Sequence, residues 1–178
     1  MKSPRTAFSL IELLVVMAIM GILSALTFTA ISGISSGRNL QMGGNMVLDQ
    51  ISLARQSALS KNARVRWQII SVRDGRNEDA AAFRRMQLEV FDPIARAWNP
   101  LTRSVTLPLR VVADPARSTL LTNSASGATN TVMFLASGRT GLNPNGVYSL
   151  TLFDERKTNN FLTVQLDPIS GRCRTFQP

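Results

Sequence analysis

Two kinds of hydrophobic pattern divide the chain. From Leu13 to Gly37 no charged residue occurs. That apolar run of 25 residues is long enough for a helix to cross a hydrocarbon core of about 30 Å. Beyond it, Leu40, Val47, Ile51, Ala54 and Ala58 recur at helical spacing, with Arg38, Asp49, Gln50 and Arg55 elsewhere on the surface. One helix from Phe8 to about Ser60 would be about 80 Å long at about 1.5 Å per residue. Gly33, Gly37, Gly43 and Gly44 each weaken it by roughly 1 kcal/mol relative to alanine. The stretch 33–44 therefore reads either as a bend or frayed segment that lets the helix flex, or as close helix packing or a simple loop.

From Lys61 the pattern turns to strands. Val65–Val72, Met86–Phe91, Ser104–Val112, Thr131–Ala136, Val147–Phe153, Phe161–Leu166 and Arg172–Phe176 are mostly short, rich in Val, Leu, Phe and Thr, and bounded by turn residues. Asp74-Gly75 lies in the first connection, Asp154 to Asn160 reads as a hairpin tip, and Asp167-Pro168 with Ser170-Gly171 as another turn. Ala113–Asn130 is long and rich in Ser, Thr, Asn and Ala, and reads as a mobile loop. A helix followed only by strands predicts an α+β fold, with the sheets packed on the exposed half of the helix.

Composition narrows the chemistry. The 178 residues suit one globular domain plus an appendage, and 44% are hydrophobic. There is no histidine, hence neither the commonest general base nor the commonest metal ligand. Cys173 is the only cysteine, so no intrachain disulfide forms and no Cys/His metal site exists. It reads as a small, buried, apolar residue, with an interchain disulfide as the alternative. No serine has a base to activate it, and Gly138-Arg139-Thr140-Gly141 lacks the spacing and the lysine of a phosphate loop. The adjacent acids Glu78-Asp79 and Asp154-Glu155 fall in expected turns and read as solvated charges. No catalytic residue, metal or cofactor is expected. The net charge of +9, carried mostly by arginine, fits nucleic acid, anionic lipid or acidic proteins, or simply keeps the domain soluble.

The strongest signal is at the N-terminus. Met1 to Ala7 form a short leader carrying Lys2 and Arg5, which predicts a cytoplasmic N-terminus. A secretory signal peptide or a plain signal anchor would account for such a leader and an apolar run. Glu12 argues against both, because a carboxylate inside an apolar span is costly and calls for a partner. A free α-amine, created if the leader is removed before Phe8, would be that partner, and Glu12 would then be the fifth residue of the mature chain.

These residues resemble the type IV prepilin family: a short basic leader, a small residue, then Phe8, three residues, Glu12 and a long apolar helix. The likeness covers about the first 30 residues. It implies cleavage between Ala7 and Phe8 by prepilin peptidase, and methylation of the new N-terminus at Phe8. Ala7 departs from the glycine usual before the cut, which puts the rate of cleavage in question. No proline occurs between Pro4 and Pro93, so the proline kink of many family helices is not expected.

A second, shorter set of motifs follows. Leu53 to Ala58 precede the first strand, Met133 to Arg139 form a strand ending in a glycine turn, and Gly171-Arg172-Cys173-Arg174 opens the last strand. This order is similar to the family of minor pseudopilin H of type II secretion and the FimT-like minor pilins. That likeness implies a long hydrophobic N-terminal helix packed on a C-terminal antiparallel β-sandwich. On a strand, Arg172 and Arg174 would share one face and could contact successive phosphates. FimT-like pilins that bind DNA carry a similar Gly-Arg-x-Arg, so the likeness makes Arg172 and Arg174 candidate DNA-binding residues. A solvated outer face is the plainer reading of the same pair.

The expected organisation is a leader over 1–7, a transmembrane and assembly helix over 8–37, its amphipathic continuation over 38–60, and a β-rich domain over 61–178. The expected role is a minor pseudopilin or pilin, single-pass in the inner membrane with its globular domain in the periplasm. Its expected partners are prepilin peptidase, other pilins or pseudopilins in a filament, an inner-membrane assembly platform and membrane lipid. DNA is the partner in the alternative reading. A signal-anchored periplasmic domain that never polymerises is the third reading, and its mark would be an uncut leader.

Overall fold

The computed structural model describes residues 9–74, 77–121 and 129–177, with side-chain environments for all of these except 26–36, 74, 77–81, 129 and 158. The leader, Ala7 and Phe8 lie outside the described residues. The chain divides into two compact units, 1–37 and 38–178. Helix α1 spans Leu10–Ser60 and is unbroken through Gly33, Gly37, Gly43 and Gly44, so of the alternatives for 33–44 neither a frayed segment nor a loop is found.

In the first unit, Leu10, Met17, Met20 and Leu23 are among a run of large apolar side chains left more than half exposed. Among the described residues no helix is long and apolar enough to cross a membrane.

The second unit begins with the amphipathic half of α1. Leu40, Val47, Ile51, Ala54 and Ala58 are all buried to within 1% and form one stripe, as their spacing predicts. Gly43 and Gly44 lie on the same side and are buried too. A Cβ at Gly43 would stand 3.0 Å from Val111 Cγ1, and one at Gly44 2.7 Å from Leu162 Cδ2. The structure thus decides between the two readings of this pair: the glycines let helix and sheet approach closely. The helix ends in a Schellman motif. Ala63 N donates to Ala58 O, Asn62 N donates to Leu59 O, and Asn62 takes the left-handed conformation at φ 48°.

Among the described residues nine antiparallel strands follow: β1 (Val65–Asp74), β2 (Asn77–Asp92), β3 (Ala97–Pro100), β4 (Val105–Thr106), β5 (Val111–Ala113), β6 (Thr129–Phe134), β7 (Tyr148–Asp154), β8 (Lys157–Leu166) and β9 (Cys173–Phe176). Their order is β6-β1-β2-β5-β7-β8-β9, with β3 and β4 also paired to β2. The helix packed on antiparallel β-structure is the fold that the family likeness implies, and its two halves join where β2 meets β5 at the single pair Phe83–Ala113. The inner face carries Trp67 and Ile69 of β1, Met86 and Leu88 of β2, Phe134 of β6, Leu150 and Leu152 of β7, and Val164 of β8, which join the α1 stripe in one core.

Two strand expectations and one loop expectation change. Ser104–Val112 is not one strand: Pro108 has no N–H to give, Arg110 sits at φ 70°, and Val111 N donates to Pro108 O, so β4 and β5 are separated by a turn. β2 reaches back to Asn77, through residues too polar to alternate, because β1 offers it a partner as far as Asp74. The loop expected over 113–130 is ordered at least as far as Leu121. Ser118 Oγ accepts from Thr151 N at 2.9 Å, and Asp114 N and Leu120 N donate to Thr151 O and Ser149 O, so this segment runs along the edge of β7. Residues 122–128 lie outside the described residues.

Candidate functional sites: a capped helix head and a basic cavity

α1 opens with Ser9 at the cap position and Glu12 three residues on, the spacing of a capping box. Glu12 Oε2 accepts the backbone N–H of Ser9 at 3.1 Å. The carboxylate thereby satisfies a donor that the first turn leaves without a partner, and its charge opposes the positive end of the helix dipole. Glu12 is exposed. Its side chain turns back toward the residue that follows Phe8.

At the other end of the sequence, β8 turns into β9 through a tightly bonded loop. Asp167 N donates to Arg172 O at 2.8 Å, and Gly171 N donates to Asp167 O at 2.9 Å. Asp167 Oδ1 accepts from Ile169 N at 2.9 Å, and Oδ2 accepts from Ser170 Oγ at 2.6 Å. The Ser170 hydroxyl and the Ile169 N–H, helped by the charge of Arg174, hold the Asp167 carboxyl below the usual carboxylate range. Gly171 adopts φ 65°, and a Cβ there would stand 2.9 Å from Gly138 O and 3.2 Å from Arg55 Cδ. Gly138, at φ 78°, closes its own turn and accepts Arg55 Nε at 3.3 Å. The two glycine turns and the α1 arginine are therefore mutually fitted.

This packing brings Arg55, Arg172 and Arg174 onto one cavity of about 660 Å3, whose wall also carries Gln165, Asp167 and Ser170. Arg172 lies in the turn and Arg174 in β9; both are exposed. Arg55 was not singled out from the sequence as a site residue. Its only signal there was its place in the Leu53 to Ala58 motif.

Cys173, between the two arginines, packs against the core from the inner side, and burial pushes its thiol up to about 12. The acids at the β7–β8 turn depart from expectation. Asp154 is only 3% exposed and accepts Arg156 N at 3.0 Å, while Glu155 pairs with the buried Arg84 of β2. Neither is a free solvated charge. Glu78 and Asp79 fall inside β2 and not in a turn, and their side chains lie outside the described residues. Among the described residues no cluster of acids and cysteine could hold a metal ion.

Comparison with known proteins bears on both ends of the chain. Residues 2–28 match the prokaryotic N-terminal methylation motif, and residues 43–169 match the type II transport protein GspH family. No curated protein sequence matches the chain. The fold is similar to that of the minor pseudopilin EpsH from the type 2 secretion system of Vibrio cholerae, at 13% identity over 79% of this chain and 98% of that one, with a TM-score of 0.52. It is also similar to the type IV minor pilin FimU of Pseudomonas aeruginosa PAO1, at 15% identity over 79% of this chain and 89% of that one, with a TM-score of 0.50. At such identities the likeness concerns the fold. Because the family match covers most of the helix–sheet unit, the chain belongs to the type II transport protein GspH family.

Proposed function

We propose that the chain is a structural minor subunit of a pseudopilus or pilus-like filament, held in the inner membrane by its N-terminal helix before assembly, with the globular unit in the periplasm. One observation carries this reading. A helix whose apolar side chains stand exposed is headed by a single carboxylate, Glu12, folded back on the Ser9 N–H. Exposed apolar side chains each forgo about 1.5–3 kcal/mol of burial, so this helix needs apolar cover. Lipid supplies it before assembly, and the helices of neighbouring subunits supply it afterwards.

Cutting between Ala7 and Phe8 by prepilin peptidase leaves an α-amine at Phe8, with methylation to follow. Glu12 of the same chain or of a neighbour then neutralises that amine in a medium where either charge alone is costly. The assembly platform and other pilins or pseudopilins are the further partners of this reading. A DNA-receptor role for Arg172 and Arg174 gains no support from the comparisons.

The test is Glu12→Gln in a host that carries the filament machinery. The variant should still be processed, yet its share in sheared filaments should fall about tenfold or more, as expected for loss of a low-dielectric ion pair. Incorporation at the wild-type level would sink the assembly role of Glu12.

A further inference from the structure

The cavity at the β8–β9 turn gathers three arginines against a single carboxylate, Asp167. Arg55 uses Nε on Gly138 O, and its two terminal nitrogens make no hydrogen bond among the described residues. The guanidinium groups of Arg172 and Arg174 likewise make none there, and both side chains are exposed. Asp167 is the one carboxylate in the wall among the described residues, and both of its oxygens already accept hydrogen bonds from its own turn. Three like charges held on one concave surface repel one another, and an anion entering there relieves the repulsion. The arrangement is also fixed: Gly171 and Gly138 hold positive φ angles that let the turn close over Arg55.

We propose that this cavity receives the carboxylate side chains of an acidic peptide segment on a partner protein. Guanidinium forks match carboxylates in a bidentate way, and a volume of about 660 Å3 lies in the ordinary range for a ligand site. Two features favour a peptide over a nucleic acid. The site is a bounded concavity, whereas a nucleic-acid strand needs a continuing track of cations and stacking rings. The remaining lone pairs of Asp167 and the Gln165 amide oxygen can take the N–H groups of a peptide backbone, which a phosphodiester backbone does not offer. This inference goes beyond assembly by the N-terminal helix and does not depend on it.

The experiment uses the full chain in detergent micelles at physiological salt. Fluorescein-labelled hexaglutamate is titrated and read by anisotropy, with hexaglutamine, a short poly-dT strand and a short DNA duplex as the other probes. Hexaglutamate should bind and hexaglutamine should not. Arg172→Ala combined with Arg174→Ala should weaken hexaglutamate binding by about tenfold or more, the loss of charge-assisted contacts. The corresponding double lysine variant, which keeps the charge and loses the fork, should fall between that variant and wild type. Arg103→Ala, an exposed arginine outside the cavity wall, should bind as wild type does. The proposal is overturned if hexaglutamate does not bind, if the double alanine variant binds it as tightly as wild type, or if either DNA probe binds more tightly than hexaglutamate.

Discussion

Replacing Gly44 by alanine sets two opposed forces on one atom. Within a helix the change favours folding by about 1 kcal/mol, since glycine gives up more backbone freedom than alanine. Against it, the added Cβ would stand 2.7 Å from Leu162 Cδ2 and 3.1 Å from Leu162 Cδ1. These distances fall well inside the 3.5–4.0 Å optimum for carbon pairs. Leu162 is 2% exposed and held by the core, so it has little room to yield. Overpacking of this kind costs about 1–3 kcal/mol, which leaves Gly44→Ala destabilising by about 1 kcal/mol net. Shortening Leu162 to alanine costs about 2–5 kcal/mol alone and clears the space. In that background Gly44→Ala keeps its helical gain and refills part of the cavity, and should stabilise by about 1–2 kcal/mol. The sign of one substitution therefore reverses with the identity of its neighbour, a coupling of about 2–3 kcal/mol. Urea unfolding of the full chain in micelles, followed by fluorescence of the buried Trp67, measures all four proteins. If Gly44→Ala stabilised the otherwise wild-type chain, the glycine would be a point of flexibility and the packing account would be wrong.

Two further perturbations bear on the β8–β9 turn. Gly171→Ala forces an L side chain to φ 65° and sets its Cβ 2.9 Å from Gly138 O, a backbone atom that cannot swing away. It should destabilise by at least about 2 kcal/mol in the same unfolding assay, while Gly141→Ala, whose Cβ would meet Met133 Cβ at an ordinary 3.6 Å, should change stability little. Cys173 titrates near 9 when unfolded, and burial pushes it up to about 12 in the fold. The folded chain then holds a proton that the unfolded chain releases, so this contribution is intact below pH 9 and is lost as pH rises from 9 toward 12. The urea midpoint should fall across that window, less so in Cys173→Ala, and alkylation of the folded protein at pH 8 should be slow.

Where the chain could be read in advance, a period or a singular charge did the work. The stripe from Leu40 to Ala58 buries as spaced, because a two-sided helix has one way to meet a sheet. Strands β1, β7 and β8 follow their runs of β-branched and aromatic residues. β3 escaped notice: it is four residues long, ends in a proline, and exists because Phe91–Trp98 and Glu89–Pro100 pair across a hairpin. The acids at the β7–β8 turn looked solvated because Arg84, the partner of Glu155, lies on a strand far away in sequence. Arg55 is the same kind of case. Its place beside Arg172 and Arg174 depends on two glycine turns fitting each other, which no local pattern encodes.

The most direct test of the account is the mass of the N-terminal peptide from membrane-extracted protein, taken with and without prepilin peptidase. A mature chain beginning at Phe8, methylated there and formed only when the peptidase is present, is the predicted result. A chain that keeps residues 1–7 in the presence of the peptidase would contradict it, since Glu12 would then have no free amine to meet.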